Sequence, residues 1–309
     1  MTFTLALLRR PATTQVTENR IAETEAAGEA QGYNTTKLAD REAITFTKAD
    51  IITTDKYLYF FPENYYKVDI IVSNRADNWR GRRYNPPPIN MGLLISGHSD
   101  YSILDHHAEF FSPLKWYAVN NDTNKKNVIS LPLGITNNTN ESDLHPVYGD
   151  LDSMVSIMNQ DVKIINLVYM NFNINTYPQE RQIVWNLFKD KEWVTIGKIV
   201  NTIEGRTNFL FEIKSHSFVL CPRGNGIDTH RLWETLYMGS IPIVKKHNGY
   251  KQFYDLPVCF VDDWDQITPE FLEIEKNRIV NSNYCLEKLK IGYWVEKINH
   301  DMNIFNKRT

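Results

Sequence analysis

The chain has 309 residues, 42% of them apolar and 23% charged, which is enough apolar sequence for a buried core and excludes a disordered or fibrous protein. A formal net charge of -3 provides no field to hold a polyanion across the surface, so nucleic acid is not an expected partner. Cys221, Cys259 and Cys285 are odd in number and lack metal-type spacing, so neither a disulfide framework nor a zinc site is expected.

Residues 1–32, rich in Ala, Glu and Thr, read as a tail outside the core. The apolar run Phe3 to Leu8 is shorter than a secretory core and has Arg9 and Arg10 after it. Nothing reaches the roughly 18 to 20 apolar residues of a membrane span. A cytoplasmic chain without a transmembrane segment is expected, and sequons such as Asn137-Asn138-Thr139 then read as polar loops.

Short β-branched and aromatic runs follow, and Tyr57–Phe61, Val68–Ser73, Gly92–Ser96, Trp116–Asn120 and Val128–Leu133 are predicted strands of a first sheet. The basic run Trp79 to Tyr84, ahead of three prolines, reads as a solvated loop. His106 and His107 have no ligand-type neighbours and read as helix-surface residues. A polar stretch, 136–161, marks a domain boundary, and Asp150 within it reads as a cap.

Beyond it strands and helices alternate. Lys163–Met170, Trp193–Ile196, Ser217–Leu220, Ile241–Val244 and Val258–Val261 are predicted strands. Pro178–Phe188, Thr207–Lys214, Thr229–Met238 and Pro269–Val280 are predicted helices, the last capped by Thr268. Such alternation means βαβ units around a parallel sheet.

In such sheets ligands bind beyond the carboxyl ends of the strands. There, Cys221-Pro222-Arg223-Gly224-Asn225-Gly226-Ile227-Asp228 leads into a helix beginning near Thr229. The glycines permit unusual backbone angles and leave room for a ligand, and the helix start offers unpaired N–H groups suited to a diphosphate. Arg223 and Arg231 can fork onto phosphate oxygens. His230, Arg231 and Glu234 share one side of the helix, where Glu234 could accept hydrogen bonds from a ribose. A tight turn followed by a surface Arg/Glu pair accounts for the same residues without a ligand.

The run from Pro222 to Val244, PRGNGIDTHRLWETLYMGSIPIV, resembles the donor-binding motif of exostosin-like glycosyltransferases. The resemblance implies a GT-B architecture of two facing Rossmann-like α/β domains, with Arg231 on the donor diphosphate and Glu234 on its ribose. Val168 to Phe172, with Thr176, Pro178, Glu180 and Arg181, is also similar to these proteins, which implies that the loop at Asn171 faces the donor. The likeness is confined to residues 163–264, and the membrane anchor and heparan-type substrates of animal members do not carry over.

The expected function is therefore glycosyl transfer from a nucleotide sugar to a glycan hydroxyl, with Arg223, Gly224, Asn225, Gly226, Asp228, Thr229, His230, Arg231, Glu234 and Asn171 around the donor. No metal and no cofactor is required. The expected units are 33–150 on the acceptor side, 151–280 on the donor side, and a helical segment, 281–309, packing back toward the first. For an inverting reaction the base would come from Ser96-Gly97-His98-Ser99-Asp100-Tyr101, with Asp100 first and His98 second, although both also suit turn bonding. Two other readings remain: a metal-dependent transferase using Asp262 to Asp265, and a non-catalytic nucleotide- or glycan-binding protein. Asp262 to Asp265 precede a helix start, where acidic residues complement the dipole.

Overall fold

The computed structural model describes residues 36–37, 46–79, 82–137 and 147–307. The expected tail and most of the sequon stretch lie outside the described residues.

The architecture is mixed α/β with two parallel sheets. In the first, β1 (Tyr65–Lys67), β2 (Leu93–Gly97), β3 (Lys115–Ala118) and β4 (Val128–Ser130) lie side by side in chain order. Two strand expectations are overturned, one of them by the need of parallel neighbours for a crossover between strands. Residues Tyr57–Phe61 fall mainly in helix α1 (Lys56–Phe60), and Val68–Ser73 form α2. Tyr57 alone is buried in α1, while Tyr59 is 83% exposed, so the aromatic run is one-sided and not a half-buried strand. In α2, Val68 and Ile71 are buried one turn apart, and the helix begins the return from β1 to β2. The described residues of the basic run lie in a small antiparallel pair, with Asp77–Trp79 matched to Arg82–Tyr84. Helix α3 (Asp105–Phe111) carries the chain from β2 to β3. His107 is buried in it, not on its surface, and its Nδ1 accepts the N–H of Leu104.

Helix α4 (Leu151–Met158) arises inside the expected polar boundary, capped by Asp150, which accepts from the N–H groups of Asp152 and Ser153. The second sheet then contains β5 (Asn166–Met170), β6 (Val194–Ile196), β7 (His216–Leu220), β8 (Ile241–Lys245) and β9 (Cys259–Val261), all parallel, in the order β6-β5-β7-β8-β9. Its helices are α5 (Pro178–Phe188), α6 (Ile203–Ser215), α7 (His230–Met238) and α8 (Pro269–Asn281), while the last helix, α9 (Ile291–Asn306), reaches the first sheet, where Lys115 and Tyr117 contact its Asp301. Pro178 starts α5 with its angle preset, and Arg181, Val184 and Phe188 give it a buried face. Thr268 caps α8 by accepting the N–H of Phe271. Gly239, at φ 90°, ends α7 in the left-handed conformation.

Period-two alternation in the first sheet sends neighbouring residues to different cores. Leu93, Ile95 and Tyr117 join a large apolar cluster that continues through Val168, Phe218 and Trp233 of the second sheet and its helices. Leu94, Trp116 and Ala118 face a smaller cluster with Val68, Ile71 and Phe111. The tyrosine hydroxyls tie distant segments together. Tyr237 accepts the N–H of Ile52 and donates to the carbonyl of Leu289, while Tyr117 donates to Asp301 of α9 at 2.6 Å. Among the described residues no helix is long and apolar enough to cross a membrane.

Candidate functional site

The strand order places a crevice beside β5. The chain leaves β5 toward β6 on one side and returns to β7 on the other, so the loops after β5 and β7 diverge. A cavity of about 470 Å³ opens there. Its walls come from the loops after β5 (Asn171, Asn173) and β6 (Lys198, Ile199, Val200), the start of α6 (Gly205, Arg206, Phe209), and the glycine loop with the first turns of α7. Asp100, Leu133 and Thr136, which follow strands of the first sheet, also line it, as do Tyr148, Thr176 and Arg181.

The structure brings Asn171, Gly224, Asn225, Gly226, Asp228, Thr229, His230, Arg231, Glu234 and Asp100 to this one cavity. Two expected residues lie elsewhere. Arg223 turns to the far side of the glycine loop, where its guanidinium stacks 4.5 Å from the Tyr177 ring centroid and donates to the carbonyl of Asn225. There it lines a separate polar pocket with Glu180, Lys245 and His247. His98 is not part of the cavity wall; its Nδ1 lies 2.6 Å from the buried carboxylate of Asp55, and its backbone is left-handed at φ 54°. His98 thus pairs with a distant carboxylate, which is neither the acceptor-base position nor a bond to the backbone of its own turn.

The glycines act through size and not through unusual angles, because the positive-φ glycines among the described residues are Gly134 and Gly239. A Cβ on Gly226 would lie 2.7 Å from Asn120 Nδ2, and one on Gly224 would lie 3.3 Å from Arg181 Nη2. Both contacts hold the loop. Asn120, itself left-handed at φ 55°, accepts the N–H of Asp228 at 2.9 Å and donates to the carbonyl of Ser99 at 2.8 Å. Arg181 donates to the carbonyls of Arg223 and Asn173, both at 2.8 Å. Burial, with the charge of Arg231 second, lowers the Arg181 pKa to about 10, and the group remains a cation at neutral pH.

Asp228 is the keystone of the loop. Its carboxylate accepts from Leu133 N and Thr229 N, each at 2.8 Å, and from Trp233 Nε1 at 2.8 and 2.9 Å. Burial nevertheless raises its pKa to about 7, against the opposing effect of these donors. The residue expected at the donor is thus spent on structure. His230 Nδ1 donates to the carbonyl of Gly134 at 2.8 Å, and burial holds its pKa below the ordinary value. A neutral His230 keeps Nε2 as an acceptor.

No family model and no curated protein matches this chain. The cavity's chemistry therefore has to be read from its own atoms.

Arg231 is half-buried, and no described residue accepts from its guanidinium. Glu234 does not pair with it as the surface reading supposed. Instead Glu234 Oε1 accepts from Arg206 Nη1 at 2.5 Å, with side-chain exposures of 6% and 0%. Both guanidiniums flank Phe209, at 5.9 and 5.6 Å from its ring centroid. Arg206 was missed in the sequence, and its one local sign is that it shares a buried helix face with Leu210 and Ile213.

Asp262 and Asp263 stand outside the cavity wall and pair with Lys246 and Lys245 at 2.8 and 3.3 Å. Asp263 also caps the short turn Trp264–Gln266. Among the described residues no group of three or more His, Cys, Asp or Glu side chains is placed to hold a metal ion.

Proposed function

We propose that the chain is a glycosyltransferase that moves a sugar from a nucleotide-sugar donor to a glycan hydroxyl. The observation that carries this reading is the cavity at the crevice beside β5, where an unpartnered Arg231 and the start of α7 meet a glycine loop. The helix start and the guanidinium both favour negative charge. The resemblance to exostosin-like transferases assigns this same loop to the donor, within a two-domain GT-B arrangement.

On this reading the diphosphate sits against α7 and Arg231, and the nucleoside extends past Glu234 toward Phe209 and Ile199. Glu234 Oε2 has no partner among the described residues and is the oxygen suited to a ribose hydroxyl. Bond cleavage leaves charge on the departing diphosphate, and fixed cations lower the barrier by stabilising that charge, so a divalent metal is not required. Asp100 reaches the cavity from the first sheet and is the proposed acceptor base.

The test is release of nucleoside diphosphate from a panel of nucleotide sugars, with and without a chelator and with glycan acceptors. Turnover that survives chelation supports the reading. Binding without turnover against every acceptor would place the chain among non-catalytic binding proteins, and turnover abolished by chelation would make it metal-dependent.

A further inference from the structure

Arg206 is 1% exposed and lies in the wall of the cavity. Its Nη1 is committed to Glu234, yet its Nε and Nη2 are buried without any hydrogen-bond partner. Buried polar groups are satisfied in more than about nine cases in ten, and a guanidinium cannot escape the requirement by losing its proton. Nε and Nη2 form one edge of the planar fork, with two parallel N–H bonds. That edge matches two oxygens of a phosphate or carboxylate bidentately.

The surroundings select the anion. Nε of Arg231 and Oγ1 of Thr229, both on the cavity wall, also lack partners, and Thr229 stands at the N-terminus of the nine-residue helix α7. Two guanidiniums against one phenyl ring, a hydroxyl and a helix start supply more donors than a single carboxylate can accept. The Glu234 carboxylate, bonded to the opposite end of the fork, fixes the direction in which the free edge points.

We propose that Arg206 is a direct phosphate ligand, the second guanidinium of a diphosphate clamp with Arg231, and that Glu234 positions it. This takes the place expected for Arg223, which faces away. The inference deepens the nucleotide-sugar reading, and it depends on that reading only for what the phosphates are attached to.

Inorganic pyrophosphate is the probe, titrated calorimetrically into the full chain. The native protein binds it, and Arg206→Lys weakens it at least about 10-fold, because lysine keeps the charge opposite Glu234 and loses the fork. Should Arg206→Lys not fold, a double variant with Arg206→Leu and Glu234→Leu removes the pair without stranding a buried charge, and it shows the same loss. Pyrophosphate affinity equal to that of the native protein in either folded variant overturns the clamp, as does a native protein that does not bind pyrophosphate. If pyrophosphate binding depends on Arg206 while no nucleoside diphosphate binds more tightly, the clamp stands and the nucleotide-sugar reading falls.

Discussion

Asn120, at the end of β3, accepts the backbone N–H of Asp228 at 2.9 Å, so a residue of the first sheet fixes the conformation of a loop in the second. Asp228 returns the contact by accepting from Leu133 N. The cavity floor is therefore shared property, and disturbing either side of it is expected to register in ligand affinity.

Gly226→Ala tests that floor. The added methyl would lie 2.7 Å from Asn120 Nδ2 and 3.0 Å from its Oδ1, and it must push the amide off the Asp228 N–H. Overpacking of this kind costs typically about 1 to 3 kcal/mol, read as a lower urea midpoint with an unchanged slope. Diphosphate affinity should fall with it. A variant with native stability would mean that the Asn120 contact is dispensable.

Arg231→Ala separates a ligand-binding arginine from a merely solvated one. A charge-assisted bond to phosphate is worth about 1.5 to 3 kcal/mol, so nucleoside diphosphate should bind roughly 10- to 150-fold more weakly, and free nucleoside almost unchanged. Lysine restores only part of the loss. Equal losses for both ligands would show that the helix start was disturbed instead.

Asp228 gives the fold a pH signature. Its folded pKa of about 7 lies above the ordinary aspartate value of 3.8, so between those values the native state holds a proton that the unfolded state has released. Its contribution is complete below pH 3.8 and is lost as pH rises through about 7. Asp228→Asn should remove this component, seen by comparing urea midpoints of the two proteins across that range. Parallel curves would show that Asp228 does not titrate there.

Asp100→Asn should lower kcat about 100-fold or more while leaving donor affinity nearly intact, since a base acts on the acceptor and not on the donor. Asp100 also accepts from Asn225 at 3.3 Å, a bond an amide can keep, which limits structural side effects. Near-native kcat would remove Asp100 from the chemistry.

The second sheet was legible because its strands and helices carry strong local signals: Pro178 at a helix start, Thr268 as a cap, Gly239 as a stop. In the first sheet, burial of Val68 and Ile71 on one helical face is a tertiary fact that β-branched composition disguises, and β1 is three residues with no alternation to read. The glycine loop was legible as a turn leading from a strand into a helix, but which arginine faces the cavity was not. Arg223 turns away because Tyr177 receives it, and Arg206 joins Glu234 from 28 positions away. No spacing within the loop encodes either event.

The most direct measurement of the central claim is calorimetric titration of the full chain with nucleoside diphosphates and nucleotide sugars in the presence of a chelator. At least one donor is expected to bind without metal, and Arg231→Ala to weaken its diphosphate about 10- to 150-fold with its nucleoside unaffected. Absence of binding by every nucleoside diphosphate, or binding indifferent to Arg231, would contradict it.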